Sequence, residues 1–354
     1  MTMRFTADEL APILAHHLGG AVTVEKVEGF PRGSSRETRF VTCRVEDGPL
    51  RELVLRSDFP AGSTDPNPLD LEYFVYARLN DADLPTARAL FWEDDPARTD
   101  RPFYAREKIA GDWNIPHFSN PDPAYDDLRI AIAKEHISML ARVHAVDWRA
   151  LGLGERLAIP VDEADAARSA LRHARGQFLA LATEPIPLLL EAIEWMSDHA
   201  PPAGRLCLCK GTNGYGEEVF RDHRLVGLSD WEEVSIGDPA ADFAFMQGFL
   251  IDIVRDGQVI WGLQAALDFY ESLTGLCIAV ETVRYYQLLR SLRLAIMSHN
   301  SAAVLRRPDA HIRQGWTAAE VQHLAKRILG SAMGLVTPVD PARFAELNVS
   351  VDME

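Results

Sequence analysis

Residues 206–244 read LCLCKGTNGYGEEVFRDHRLVGLSDWEEVSIGDPAADFA, and the parsing of this stretch decides the fold. Leu225 to Leu228 is a short apolar run that reads as a strand, and it ends on Ser229-Asp230-Trp231-Glu232. A carboxylate at the end of a buried strand is well placed to hold Mg²⁺ in a cleft. Taken alone, these four residues read better as a strand-end turn. They are followed, however, by Gly237-Asp238-Pro239 and Asp242-Phe243-Ala244. Upstream, Gly211-Thr-Asn-Gly-Tyr-Gly216 concentrates glycine where a tight turn or a close backbone approach would need it.

Working outward, the chain has 354 residues, enough for two lobes rather than one small core. Its net charge of −16 argues against nucleic acid, because neutralising phosphates needs a basic patch. No apolar window is long enough to span a bilayer, and MTMRFTADEL lacks the apolar core of a signal peptide. Cys43, Cys207, Cys209 and Cys277 show no metal-ligand spacing, and Cys207 and Cys209 read as two buried thiols on one strand face. A reduced, cytoplasmic protein with no membrane or nucleic-acid partner is expected.

The first hundred residues alternate strands and helices. Thr6 to Glu9 reads as a capping box opening a helix that Gly19-Gly20 ends. Strands are expected at 21–28, 38–45, 51–56, 90–93 and 103–109, with a helix at 70–79. Beyond residue 110 the pattern turns helical, at 129–146, 164–183 and 186–198, and helices are expected throughout 240–329. The expected organisation is an N-terminal lobe over 1–108, a helical C-terminal lobe over 109–336 and a tail over 337–354. That is an α+β plan.

The string D-W-E-x-x-x-x-G-D-P-x-x-D-F-A, from Asp230 to Ala244, resembles the aminoglycoside and choline kinase-like phosphotransferases, above all the branch associated with acyl-CoA dehydrogenases. The resemblance implies a protein-kinase-like two-lobe fold with a small β lobe. It makes Asp230 a metal-binding acid, and Asp238 and Asp242 structural acids at the next helix. Phe30 to Phe40 then falls on the phosphate-covering turn, with Gly33, Ser34 and Ser35 approaching the phosphates. Arg56, in Leu53-Val-Leu-Arg56, takes the place of the phosphate-holding cation, and Glu72 the place of the helix glutamate that orients it. Backbone groups from Glu107 to Ile109 would meet a nucleobase at the hinge. Leu140 to Trp148 resembles the end of a family helix, in which His144 packs and caps. The implied cofactor is Mg²⁺ with ATP or GTP, and the implied partner is a small hydroxylated molecule.

The family's catalytic loop, H-G-D-x-x-x-x-N, departs from its pattern here. Counting back from Asp230 aligns it with Lys210-Gly211-Thr212 and Glu217. Threonine has no accessible pKa near neutrality and cannot be a general base, although it can hydrogen-bond a hydroxyl. Glutamate at 217 is a good Mg²⁺ ligand beside Asp230. Thr212, Lys210 and Glu218 are the candidates for handling the acceptor, and Lys210 pairs with Glu217, holds an anionic substrate or meets the terminal phosphate. Three readings stand: a phosphotransferase, a nucleotide- or metabolite-binding protein without turnover, and different chemistry built on Lys210 and Glu217.

Overall fold

A computed structural model describes residues 5–30, 33, 35–182, 184–214, 216–316, 318 and 322–337. Ser34 and the tail beyond residue 337 lie outside the described residues. Thr6 opens helix α1 (Ala7–Leu18) with the expected capping box, its hydroxyl accepting from Glu9 N–H. Strands β1 (Val22–Gly29), β2 (Glu37–Val45), β3 (Leu50–Ser57), β4 (Ala89–Glu93) and β5 (Phe103–Glu107) form one antiparallel sheet in the order β1-β2-β3-β5-β4. Period-two alternation gives this sheet two apolar faces. On one, Val41, Cys43, Leu53, Leu55, Phe91 and Phe103 pack against Leu10, Ile13 and Leu14 of α1. On the other lies α2 (Leu69–Leu79), whose Tyr76 and Leu79 belong with Tyr104 to the larger core shared with the helices that follow.

The second lobe contains α3 (Asp126–His144), α4 (Ala166–Leu181), α5 (Pro187–Asp198), a set of short strands, α6 (Ala240–Phe245), α7 (Leu263–Thr274), α8 (Val280–Val304), α9 (Arg313–Trp316) and α10 (Gln322–Ala332). The short strands are β6 (Cys207–Cys209), β7 (Val219–Arg221), β8 (Arg224–Gly227) and β9 (Ser235–Gly237), paired β6 with β9 and β7 with β8. Cys207 and Cys209 are both buried, as expected, with Sγ atoms 3.8 Å apart. The expectation of unbroken helix from 240 to 329 needs correcting. A hairpin, β10 (Ile253–Arg255) with β11 (Gln258–Trp261), interrupts it. Its Asp256-Gly257 turn, flanked by apolar β-branched residues, is an ordinary hairpin signal.

Two backbone stitches close the junction between the lobes, one of them from the connecting segment. Asp112 and Phe220 exchange N–H···O bonds of 2.8 and 2.7 Å, and Leu228 N–H donates to Pro85 O at 2.8 Å. The first stitch needs Gly111, which has φ 154° and whose added Cβ would stand 2.6 Å from Phe220 O. Gly111→Ala should therefore cost about 1–3 kcal/mol through strain and overpacking. An urea midpoint unchanged from wild type would show that the hinge yields freely.

Candidate functional site

The site begins with Asp230, which the β8 strand delivers to the lobe junction in a left-handed backbone conformation (φ 62°). That conformation is uncommon for a non-glycine residue and is concentrated at functional positions. Its N–H donates to Tyr76 Oη at 3.1 Å, so α2 holds the strained turn. Arg56, projecting from β3, lies 3.3 Å from Asp230, 3.4 Å from Glu72 and 2.9 Å from Glu232. The sequence-expected set of Arg56, Glu72 and Asp230 is thus brought together.

A second arginine, which sequence reasoning passed over, anchors the set. Arg36, at the mouth of the glycine-containing turn, is buried among Asp58, Asp65 and Glu232 at 3.1 to 3.2 Å, with Glu72 at 3.9 Å. It also donates to the Asn67 carbonyl. Burial alone would lower the Arg36 and Arg56 guanidinium pKa values, and the surrounding carboxylates raise them further than burial lowers them. Glu232 is pushed up by burial first and then by Asp230 and Asp65, against the pull of both arginines. Asp65 is pushed up to about 6, chiefly by burial. Ser35 Oγ donates to Glu232 at 3.1 Å, tying the covering turn to the same carboxylate.

The segment that follows β6 is held from below. Asp242 accepts from Lys210 N–H at 2.9 Å and Gly211 N–H at 2.8 Å, and His144 Nε2 lies 2.9 Å from it. The other His144 nitrogen lies 2.8 Å from Tyr270 Oη, which gives the histidine the interior role expected of it. Asp238 accepts from Ala240 N–H at 2.8 Å, at the start of α6. Gly211 is obligatory, because at φ 81° an added Cβ would stand 2.4 Å from Glu233 O.

The candidates in that loop separate. Thr212 and Glu217 line a cavity of about 700 Å³ between the lobes, together with Gly33, Ser35, Arg56, Ile109 and Asp230. Lys210 and Glu218 do not line it. Both are fully buried, 3.0 Å apart, and Lys210 Nζ donates to the carbonyls of Thr212 and Asp230. A Lys210–Glu217 ion pair is therefore not found among the described residues. Glu107 is exposed and lies 3.6 Å from Arg51, away from the cavity wall, whereas Ile109 is on it. Phe40, Val54 and Val219 complete an apolar slot next to Ile109.

The donors near Asp230 suit a divalent cation. Burial, followed by the charge of Asp230 and a hydrogen bond to it, pushes Glu217 up to about 8. Thr212 Oγ1 is buried with no hydrogen-bond partner among the described residues. No group of three or more His, Cys, Asp or Glu that could hold a metal occurs among them. One or two carboxylates, completed by water and ligand phosphates, is the usual provision for Mg²⁺.

A sheet lobe stitched to a helical lobe around a cleft with this arginine–carboxylate set defines a kinase-like phosphotransferase fold. The chain belongs to the phosphotransferase enzyme family (APH), which it matches over residues 27–275. It is 28% identical over 251 residues to acyl-CoA dehydrogenase family member 10 of Mus musculus, covering 69% of this chain and 22% of that protein. It therefore spans less than a quarter of that relative's length. Among solved structures, a Ralstonia eutropha JMP134 protein provisionally assigned as an aminoglycoside phosphotransferase matches with a TM-score of 0.64 and 22% identity, over 94% of this chain and 99% of its own. A thermostable mutant of aminoglycoside phosphotransferase APH(4)-Ia, in ternary complex with AMP-PNP and hygromycin B, matches with a TM-score of 0.53 and 14% identity, over 89% and 98%. These two likenesses establish the fold. No helix among the described residues is long and apolar enough to cross a membrane.

Two outcomes follow from the electrostatics. Arg36→Met strands several buried carboxylates and should cost about 3–5 kcal/mol of stability in urea unfolding; a loss under 1 kcal/mol, roughly what a surface pair is worth, would demote the cluster. Glu217 holds its proton more tightly folded than unfolded, so its contribution stabilises the protein below the ordinary 4.5 and is lost as pH rises to about 8. Without divalent cations, melting temperature should fall more steeply across that window in wild type than in Glu217→Gln. Equal slopes would count against the assignment.

Proposed function

We propose that this chain is a nucleotide-dependent phosphotransferase acting on a hydroxyl of a small molecule, with a catalytic loop that works without the usual aspartate. The observation that carries this reading is the placement of Arg56 on the cleft, 3.3 Å from Asp230, with Glu217 hydrogen-bonded to the same aspartate. The APH(4)-Ia complex with AMP-PNP lends support through the shared fold.

Asp230 and Glu217 would hold Mg²⁺, which when bound with ATP or GTP screens the phosphate charge. Arg56, kept in place by Glu72, offers guanidinium donors to phosphate oxygens. Gly33 and Ser35 belong to the turn that covers them, and the base rests in the slot beside Ile109. The partnerless Thr212 hydroxyl accepts from, or donates to, the acceptor hydroxyl and orients it. Threonine takes no proton at neutral pH. Phosphoryl transfer leans on positioning and electrostatics, so a missing base slows the reaction, by about 10² to 10⁴, without abolishing it. Lys210, paired with Glu218, acts from behind, donating to the Thr212 and Asp230 carbonyls.

Mg-ATP or Mg-GTP should raise the melting temperature. Slow nucleotide turnover should accompany binding, vanish in Asp230→Ala and rise in Thr212→Asp. Binding with no turnover in either wild type or Thr212→Asp would assign the chain a nucleotide-holding role instead. No thermal shift with either nucleotide would remove both readings.

A further inference from the structure

Arg106, Arg290 and Arg313 line the cavity outside the arginine–carboxylate cluster, and of these Arg290 is the one on α8. Arg290 projects from α8 into the loop end of the cavity, alongside Thr212, Gly214, Glu217 and Phe245. The neighbouring Arg293 is paired with Glu233 at 3.1 Å. Arg290 has no such partner among the described residues. Its Nε is buried with no acceptor, and its guanidinium carbon stands 4.6 Å over the Phe245 ring. Burial lowers its pKa, and Glu233 and Glu217 only partly offset this. A half-buried guanidinium that lines a cavity and has no ion pair keeps its donors open to an anion. Leu294 and Met297, further along the same helix, give the adjoining wall an apolar character.

We propose that Arg290 is the recognition group for an oxyanion on the acceptor, so that the substrates are molecules carrying both a hydroxyl and a carboxylate or phosphate, rather than cations. The planar fork of arginine takes either oxyanion through two parallel N–H···O bonds. The apolar body of the acceptor rests on Leu294 and Met297, while Thr212 receives its hydroxyl. This deepens the phosphotransferase reading and rests on it for the hydroxyl, though not for the anion.

The test titrates glycerate, glycerol 3-phosphate, glycerol and choline into the full chain, with and without Mg-AMP-PNP, followed by thermal shift and calorimetry. Glycerate or glycerol 3-phosphate should bind saturably, the stronger of the two identifying the oxyanion, while glycerol and choline should not. Arg290→Met should weaken that binding about tenfold or more, the worth of a charge-assisted pair, and Arg290→Lys should keep part of it. The melting temperature of ligand-free Arg290→Met should equal or exceed that of wild type, since an uncompensated buried charge is removed. A lowered melting temperature would make Arg290 a packing residue and overturn the proposal. Choline binding as well as the anions, neither anion binding, or Arg290→Met weakening Mg-AMP-PNP instead of the anion would also overturn it. Anion binding that persists while Mg-AMP-PNP fails to bind would sink the phosphotransferase reading and leave the subsite standing.

Discussion

Two buried guanidiniums facing four carboxylates at the lobe junction are the constraint on which the rest of this structure depends. Arg36 and Arg56 are set among Asp65, Glu72, Asp230 and Glu232, which come from three separate segments of the chain. Neither arginine tolerates burial without these acids, and the acids outnumber the arginines. Folding the two lobes together therefore assembles the charge cluster, and Asp230 and Glu217 stand on its cavity side. The covering turn is joined to it through Ser35 and Glu232. The segment before α2 is joined to it through Asn67, whose side chain donates to Glu232 O at 3.0 Å.

The segment after β6 pairs a fixed backbone with charged side chains that divide between core and cavity. Asp242 still takes the two backbone N–H groups that follow β6, and Gly211 still occupies a position no side chain fits. Within that frame Lys210 and Glu218 form a matched buried pair, each supplying the charge the other needs. Exchanging one without the other would leave an isolated charge in the core. Thr212 and Glu217, in contrast, line the cavity.

Legibility followed the range of the interactions. The strands of the N-terminal sheet and most helices were readable to within a few residues, because period-two and helical patterns are local. Arg56 with Glu72 and Asp230 was readable through the family resemblance. Arg36 was not, since its acidic partners lie from 22 to 196 positions away. The partner of Lys210 was misjudged for the same kind of reason. Adjacent residues 217 and 218 leave the backbone in different directions, one toward the cavity and one toward the core, and nothing in the letters says which is which. Arg290 stood on a long helix with no motif around it.

What the sequence by itself determined is the order of elements, the kinase-like α+β plan and the acid at the end of β8, all consequences of local periodicity and of a motif continuous in the chain. What only the tertiary structure decided is which charges face each other. That choice depends on desolvation and on distances of a few ångströms between segments far apart in the chain. It separates Thr212 and Glu217 on the cavity wall from Lys210 and Glu218 behind it, and it leaves Arg290 as a cation on the cavity wall with no ion pair among the described residues.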